Sequence, residues 1–345
     1  MSQEIETDFI QKVKELLNSA RERTKAAINI AMVYTYYEIG RRILKQEQKG
    51  LNRAEYGKKI LKQLSSALTK EFGKGYSISN LKTIRQFFVV YSQDRIGQTA
   101  FSQSQNLPTT LEGRRFYLGW GHYVRLMRIS NLEERHFYEI ETYKNNWSVR
   151  ELNRQFDSAL YERLALSKNK EKVIELSNKG QIIDKPMDAI KDPYVLEFLN
   201  LKEDNTYSEK DLETKIINKL QLFLLELGKG FTFVQRQMRL TLDDQHFYAD
   251  LVLYNRLLRC FVVIDLKIGK IKHQDIGQLQ MYVNYFDRHV KTPDENKTIG
   301  ILLCKEKSDA VIEMTLPKDN DQIFASKYET VLPSKEELKA LIEEK

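Results

Sequence analysis

The sequence predicts an all-helical N-terminal domain, followed by an α+β or α/β domain in which helices flank a mixed β-sheet. In the first half of the chain, apolar residues recur at three- and four-residue intervals, the period of amphipathic helices. In the second half, runs rich in β-branched and aromatic residues alternate with helical segments. We predict the helical domain at residues 1–166, a charged linker at 167–192 and the α+β domain at 193–345.

Positive charge is concentrated in the predicted helical half. Residues 1–170 carry a net charge of +11 and residues 171–345 a net charge of −4. Residues 41–90 alone contain 12 basic and 3 acidic side chains. Such a concentration indicates a surface that meets a polyanion, although a solvated helix surface would have the same composition.

One segment of the helical half, residues 64–91, predicts two helices joined by a glycine turn. The first helix ends near Gly73 and Gly75, and Ser77 or Ser79 can cap a second helix that runs to about Tyr91. This arrangement resembles a helix-turn-helix, but many helical hairpins share it without touching DNA. The candidate DNA-contacting residues are those on the polar side of the second helix: Lys82, Arg85 and Gln86.

Composition excludes several classes of protein. No apolar run approaches the 18 or so residues of a membrane span, and the N-terminal residues lack the apolar segment of a signal peptide. The two cysteines, Cys260 and Cys304, lie in strand-like runs without metal-site spacing and are predicted to be reduced core residues. We therefore expect a cytoplasmic protein with no membrane partner.

The most informative stretch predicts an antiparallel hairpin from the runs Phe247–Tyr254 and Arg259–Lys267. Its register places Asp250 opposite Asp265 to within about a residue, and Lys267 on the same face as Asp265. Two acids this close disfavour joint ionisation unless a cation lies between them, and Mg²⁺ takes such oxygen ligands beside a substrate phosphate. The spacing D-x14-D-x-K is therefore suited to metal-assisted phosphodiester hydrolysis. The alternative is a solvated ion pair on a half-exposed strand.

The remaining elements of this domain follow from periodicity and capping signals. The predicted helices and strands are, in order, a short helix at Pro193–Leu201, a long helix from Ser208 to Leu227, strand Phe231–Leu242, helix Gln274–Val290, strands Thr298–Cys304 and Ile323–Tyr328, and a final helix from Ser334.

This order of acids, strands and helices resembles the core of the PD-(D/E)xK nuclease superfamily. The segments FLLELGKGFTFVQRQ, FYADLVLYNRLLRCFVVIDLK, IGQLQMYVNYFD and TIGILLCKEK are similar to the nuclease domain of YhcG-type proteins. The segments YYEIGRRI, FGKGYSISNLKTIRQFF and NNWSVRELNRQFDSALYERL are similar to the helical N-terminal domain of that family. The chain departs from the pattern at Asp265, where the family usually has Glu, and at Ala249, which replaces the nominal Pro.

The resemblance implies a restriction-endonuclease-like fold and a DNA endonuclease that uses Mg²⁺ or Mn²⁺. By position, the metal ligands would be Asp250, Asp265, the backbone carbonyl of Leu266, and Glu213. Lys267 would orient the attacking water or stabilise charge on the phosphate, and Gln278, with Tyr282 one turn on, would hydrogen-bond the metal site or the phosphate. Glu226 is the alternative to Glu213, although its place at a helix end would let it face solvent.

The expected partner is DNA, ranked above RNA. Lys270 and Lys272 follow the proposed site and would hold the nucleic-acid backbone, or else form a solvated turn. Cleavage of both strands would favour a homodimer. Mobile elements, restriction or phage defence, and repair all remain open as settings. The alternative function is a non-catalytic scaffold that binds nucleic acid with a degenerate nuclease fold.

Overall fold

Two units make up the chain in the computed structural model, which describes residues 2–48, 53–93, 108–111, 113–166, 170–201 and 207–343. The first unit comprises Met1–Arg154 and Ile174–Gly180, and the second comprises Gln155–Val173 and Gln181–Lys345. Residues 167–169 of the predicted linker lie outside the described residues. The boundaries predicted for domains and linker stay a prediction.

Helices form the first unit and lead into the second. Their bounds are α1 Ser2–Glu47, α2 Arg53–Phe72, α3 Ile78–Ser92, α4 Trp120–Leu126, α5 Leu132–Lys144, α6 Val149–Asp157, α7 Leu160–Leu166, α8 Lys170–Lys179 and α9 Pro186–Ala189. The core of the first unit is rich in aromatic rings that touch edge to face or tilted, including Tyr37, Phe87, Tyr91, Phe116 and Tyr123.

The glycine turn between α2 and α3 has the predicted form. Gly73 and Gly75 have φ values of 80° and 127°, which are accessible to glycine without steric cost. Ser77 caps α3, because its side-chain oxygen accepts a hydrogen bond from the Asn80 N–H at 3.2 Å. The two predicted helices and the turn between them are therefore confirmed.

A six-stranded mixed sheet forms the centre of the second unit. Its strands are β1 Tyr194–Val195, β2 Phe231–Leu242, β3 Gln245–Asn255, β4 Cys260–Lys270, β5 Ile299–Glu306 and β6 Ile323–Glu329. Their order is β1-β6-β5-β4-β3-β2, with parallel pairing from β1 to β4 and antiparallel pairing from β4 to β2. The predicted fold class, a helical region followed by a mixed sheet with flanking helices, is confirmed.

Helices cover both faces of this sheet. On one face pack α10 Glu209–Asn218 and α11 Leu220–Leu227, and on the other α12 His273–Tyr285, which continues as a π-helical turn at Phe286–Val290. The helices α13 Asp309–Thr315 and α14 Lys335–Glu343 follow β5 and β6. Each face of the sheet thereby buries its own apolar cluster, as expected for strands covered on both sides.

Two predictions about this unit were wrong in detail. The segment Pro193–Leu201 is not a helix, because Tyr194 and Val195 pair with β6 and only a 3₁₀ turn follows at Glu197–Leu199. The single helix predicted from Ser208 to Leu227 is broken at Lys219, whose φ of −119° and ψ of 28° are not helical. The break lets the two halves turn different residues toward the sheet.

Neither cysteine is paired, and both are buried, which agrees with their predicted place in the core. Within the described part of the chain, no helix has both the length and the apolar character needed to cross a membrane.

Gly300 on β5 lies directly under α12. A Cβ at this position would be 2.8 Å from Val283 Cγ2 and 2.9 Å from Leu279 Cγ. We predict that Gly300→Val lowers the free energy of unfolding by about 1–3 kcal/mol, because the side chain would overpack this contact. Urea denaturation would measure the loss. The control is Gly277→Ala on the exposed side of α12, where a Cβ meets nothing within 4 Å. This change should raise the free energy of unfolding by up to about 1 kcal/mol. Equal effects of the two substitutions would contradict the close approach of α12 to Gly300.

Candidate active site

The β3–β4 hairpin places two acids opposite each other where the two strands part. The ladder runs from Asn255↔Cys260 to Leu251↔Ile264 and ends there. Asp250 and Asp265 are the next residues on the two strands, so extending the same register sets them opposite each other. Beyond that position β3 remains paired with β2, and β4 remains paired with β5. Residues opposite each other in a hairpin lie on the same face of the sheet, and the charge of Asp250 acts on Asp265. The two acids therefore lie close together where the strands part.

Asp250 is held through both carboxylate oxygens. Its Oδ2 accepts a hydrogen bond from the Leu266 N–H at 2.8 Å. Its Oδ1 accepts one from Gln237 Nε2 at 2.9 Å. The first bond ties β3 to β4 across the point where their ladder ends, so the carboxylate takes the place of a backbone acceptor.

Asp265 is buried, with 2% of its surface exposed, and its Oδ2 lies 2.9 Å from Lys267 Nζ. Burial raises the pKa of Asp265 to about 7, and the charge of Asp250 adds to the rise against the opposing effect of Lys267. Burial disfavours the charged form of Lys267, but the Asp265 carboxylate outweighs it and the pKa of Lys267 is raised. Glu209 Oε2, 3.7 Å from Lys267 Nζ, favours the same charge. These opposite charges form a cluster that runs from the buried Asp265 through the partly buried Lys267 to the exposed Glu209.

The structure distinguishes the two candidate helix acids. Glu213 on α10 faces the site, where its Oε2 accepts a hydrogen bond from the same Gln237 Nε2 at 2.9 Å, and its Oε1 lies 3.1 Å from Arg236 Nε. Burial raises the pKa of Glu213. Glu226 on α11 instead binds Arg163 Nη1 at 2.6 Å.

The expectation that Glu226 faces solvent was wrong. Its side chain is fully buried, and besides Arg163 it accepts a hydrogen bond from the Val195 N–H at 2.9 Å. Glu226 therefore ties α11 to α7 and β1. Of the two acids, Glu213 is the one that the fold brings beside Asp250.

Gln278 and Tyr282 on α12 form a chain of hydrogen bonds toward the hairpin. The Gln278 amide donates to the Tyr282 hydroxyl, which donates to the Tyr248 carbonyl oxygen at 3.1 Å. Burial raises the pKa of Tyr282, with smaller contributions from the charges of Asp265 and Asp250. The Tyr282 ring is fully buried and the Gln278 side chain half-buried, so this pair stands at the inner edge of the site.

The candidate nucleic-acid residues lie in two places. Lys270 ends β4 and Lys272 caps α12, and both are exposed just beyond the acids along the chain. Lys82, Arg85 and Gln86 belong to α3 of the helical unit, where Lys82 and Gln86 are exposed. Arg85 is half-buried and binds Glu47, with Nη1 2.8 Å from Oε1. The guanidinium of Arg85 therefore has an acidic partner within its own unit.

Sequence reasoning missed Gln237, Arg236 and Glu209. The available signal for the first two was the polar triplet QRQ inside the otherwise apolar strand FTFVQRQMRL. Glu209 gave no such signal, because acidic residues are common in the first turn of a helix, where they interact favourably with the helix dipole. The contacts of all three depend on how β2 and α10 meet the hairpin, which no local pattern predicts.

The fold, with opposed acids at the parting of its central strands, is that of the PD-(D/E)xK class of nuclease domains. A family model described as the YhcG PDDEXK nuclease domain matches residues 187–343, and the DUF1016 N-terminal domain matches residues 12–163. A relative from Escherichia coli strain K12, "Putative nuclease YhcG", is 40% identical over 338 residues, which cover 94% of this chain and 90% of the relative. The chain therefore belongs to the YhcG family of PDDEXK nucleases, and the predicted family is confirmed.

Solved structures give only a distant likeness. A repair endonuclease from Pyrococcus abyssi aligns with 38% of this chain and 50% of its own, at 16% identity and a TM-score of 0.26. An EndoMS complex with double-stranded DNA aligns with 34% of this chain and 44% of its own, at 16% identity and a TM-score of 0.24. This chain thus spans half or less of those chains.

The two helix acids should respond differently to truncation. We predict that Glu226→Ala lowers the free energy of unfolding by about 3–5 kcal/mol, because it leaves the buried Arg163 guanidinium without its carboxylate partner. Glu213→Ala should change it by less than about 1 kcal/mol, since removing that carboxylate also relieves repulsion with Asp250. Chemical denaturation of both variants measures this contrast, and a reversed order would contradict the assignment of Glu226 to the scaffold.

Proposed function

We propose that this protein is a DNA endonuclease that hydrolyses phosphodiester bonds with Mg²⁺ or Mn²⁺. The observation that carries the proposal is the opposed pair Asp250 and Asp265 at the parting of β3 and β4, with Lys267 Nζ 2.9 Å from Asp265. Family membership supports nuclease chemistry in general. Metal dependence, DNA preference and the residue roles below are our proposal.

The donor set at the parting strands fits a hard divalent cation. Among the described residues, no three His, Cys, Asp or Glu side chains converge closely enough to hold an ion by themselves, and the proposed ligand set therefore includes a backbone carbonyl. The Leu266 N–H points at Asp250, and in a strand the carbonyl of the same residue points to the same edge. Asp250, Asp265 and the Leu266 carbonyl would then supply oxygens of the kind that Mg²⁺ prefers.

Glu213 completes the proposed ligand set from α10. Its carboxylate shares the Gln237 donor with Asp250, which suits it to hold a water molecule of the hydrated cation. When bound, the cation would polarise the phosphate and make a water molecule more acidic. It would also offset the negative charge of the buried Asp265 and the partly buried Asp250.

Lys267 and Gln278 would act on the substrate. The Lys267 ammonium group is partly buried and pre-positioned by Asp265, so it can orient the attacking water and stabilise charge that grows on the phosphate. The water oxygen bonds to phosphorus as the bond from phosphorus to the leaving oxygen breaks; the water gives up one proton, and the leaving oxygen takes up one proton to become a hydroxyl. Gln278, steadied by Tyr282, would hydrogen-bond the phosphate or the hydrated cation.

The proposed substrate follows from charge and exposure. The net charge of +11 over residues 1–170 suits a polyanion, and Lys82 and Gln86 are exposed on α3. Lys270 and Lys272 would hold the backbone next to the site. We assign DNA engagement to the helical domain at residues 1–166 and hydrolysis to residues 193–345, with 167–192 as linker. A homodimer would provide one site for each strand.

Loss of either acid tests the catalytic proposal. We expect Asp250→Asn and Asp265→Asn to reduce plasmid cleavage in Mg²⁺ by on the order of 100-fold or more, because each removes a negative ligand of the cation. EDTA should abolish cleavage by the parent protein. The control is Asp319→Asn, an exposed acid between α13 and β6, which should cleave like the parent.

Equal cleavage by the parent and both site variants would remove these acids from the mechanism. If the parent binds DNA tightly in a salt-dependent manner but binds no Mg²⁺ in calorimetry and cleaves nothing, the non-catalytic scaffold is the better description.

The two lysines beyond β4 make a separate prediction about binding. In the double variant Lys270→Ala and Lys272→Ala, the slope of log affinity against log salt should fall in magnitude by about 2, one unit for each lost phosphate contact. Fluorescence anisotropy with a labelled duplex, titrated at several salt concentrations, measures the slope. Lys318→Ala, an exposed lysine before β6, is the control, and an unchanged slope in the double variant would place these lysines in a solvated turn.

A further inference from the structure

We propose that Gln237 is a positioning residue, which clamps Glu213 and Asp250 together so that they can receive the cation. Its catalytic consequence rests on the proposed function, but its effect on cation binding can be measured alone. Gln237 Nε2 donates to Glu213 Oε2 and to Asp250 Oδ1, each at 2.9 Å. The two carboxylate oxygens can therefore be no more than 5.8 Å apart, the sum of these two distances.

The backbone at Gln237 is shaped for this contact. Arg236 pairs with Leu251 and Met238 pairs with Ala249, while no pair is formed at Gln237. Its φ is 46°, in the left-handed region that residues with a Cβ rarely adopt. The regular pairing of β2 is thus interrupted at Gln237, and the side-chain amide of Gln237 lies between Glu213 and Asp250. Such a departure is maintained only where surrounding contacts enforce it.

The chemistry of an amide suits the clamp. The Nε2 group carries two hydrogens, and each is directed to a different carboxylate. The other oxygen of each acid has its own contact: Glu213 Oε1 lies 3.1 Å from Arg236 Nε in an ion pair, and Asp250 Oδ2 accepts a hydrogen bond from the Leu266 N–H at 2.8 Å. Gln237 is therefore the link between two separately anchored groups.

The neutrality of Gln237 also matters. An ammonium or guanidinium group at this point would hold both acids, but its positive charge would compete with a divalent cation for them. A carboxylate would add a third negative charge without a donor. Glutamine brings the acids together and leaves their charges available for the cation, which is the role that hydrogen-bonded neighbours of metal ligands play.

The test uses three variants of the full chain and Mn²⁺ as the probe. Gln237→Gly removes the side chain and accepts a positive φ without steric cost. Gln237→Asn keeps the amide and tolerates this φ, but is one methylene too short to span both acids. Gln235→Gly is the matched control, a glutamine two residues earlier on the same strand and exposed. Circular dichroism checks that each variant is folded.

Calorimetric titration without DNA should show Mn²⁺ binding weakened 10- to 100-fold in Gln237→Gly, the range found when a partner of a metal ligand is lost. The Mn²⁺ affinity of Gln237→Asn should lie between those of Gln237→Gly and the parent, and the affinity of Gln235→Gly should equal that of the parent. In DNA cleavage, the Mg²⁺ concentration at half-maximal rate should rise in the same order, with the rate at saturating Mg²⁺ within a few-fold of the parent.

Parent-like Mn²⁺ binding by folded Gln237→Gly would overturn the inference. A lower rate at saturating Mg²⁺ with unchanged metal affinity would overturn it too, because a general structural role produces that pattern. If the parent binds Mn²⁺ but cleaves no DNA, the proposed function fails, while weaker binding by Gln237→Gly would still uphold the clamp. A parent that binds no cation would overturn both.

Discussion

The candidate site depends on how the fold holds two carboxylates close together at the end of a strand ladder. Asp250 and Asp265 are the residues that follow the pair Leu251↔Ile264 on the two strands, and Asp265 is almost fully buried. Like charges in such a setting are costly unless donors or cations surround them. The Leu266 N–H and the Gln237 amide donate hydrogen bonds to Asp250, and the Lys267 ammonium group pairs with Asp265. A bound divalent cation would offset the remaining negative charge.

The apolar framework around these acids explains why they stay in place. Strands β3 and β4 are sandwiched between the α10–α11 cluster and the α12 cluster, so the backbone that carries the acids is covered on both faces. Gly300 lets α12 approach β5 closely, and α12 in turn positions Gln278 and Tyr282. The buried pair of Glu226 and Arg163 ties α11 to α7. Rigid packing of this kind is what a preorganised site requires.

Sequence patterns predicted the hairpin, its register and most of the strands in their order along the chain, because alternation and turn length are local signals. They did not resolve the long helix, which breaks at Lys219, or the segment at Tyr194, whose strand character comes from pairing with β6. They identified Arg85 as a candidate DNA contact without its partner Glu47, which lies 38 residues away in the chain. In each case the deciding contact joins residues distant in sequence.

The family could be predicted because segments of the sequence resemble it, and the fold class could be predicted from periodicity. The opposition of Asp250 and Asp265 followed from the register of one hairpin, which its alternation and turn determine. The choice between Glu213 and Glu226, and the position of Gln237, required the folded chain. Both acids lie on one amphipathic segment, and only the packing of α10 and α11 turns the first toward the site and buries the second against Arg163. Packing between distant segments is cooperative, so no short stretch of sequence contains the contacts that determine the positions of Glu213, Glu226 and Gln237.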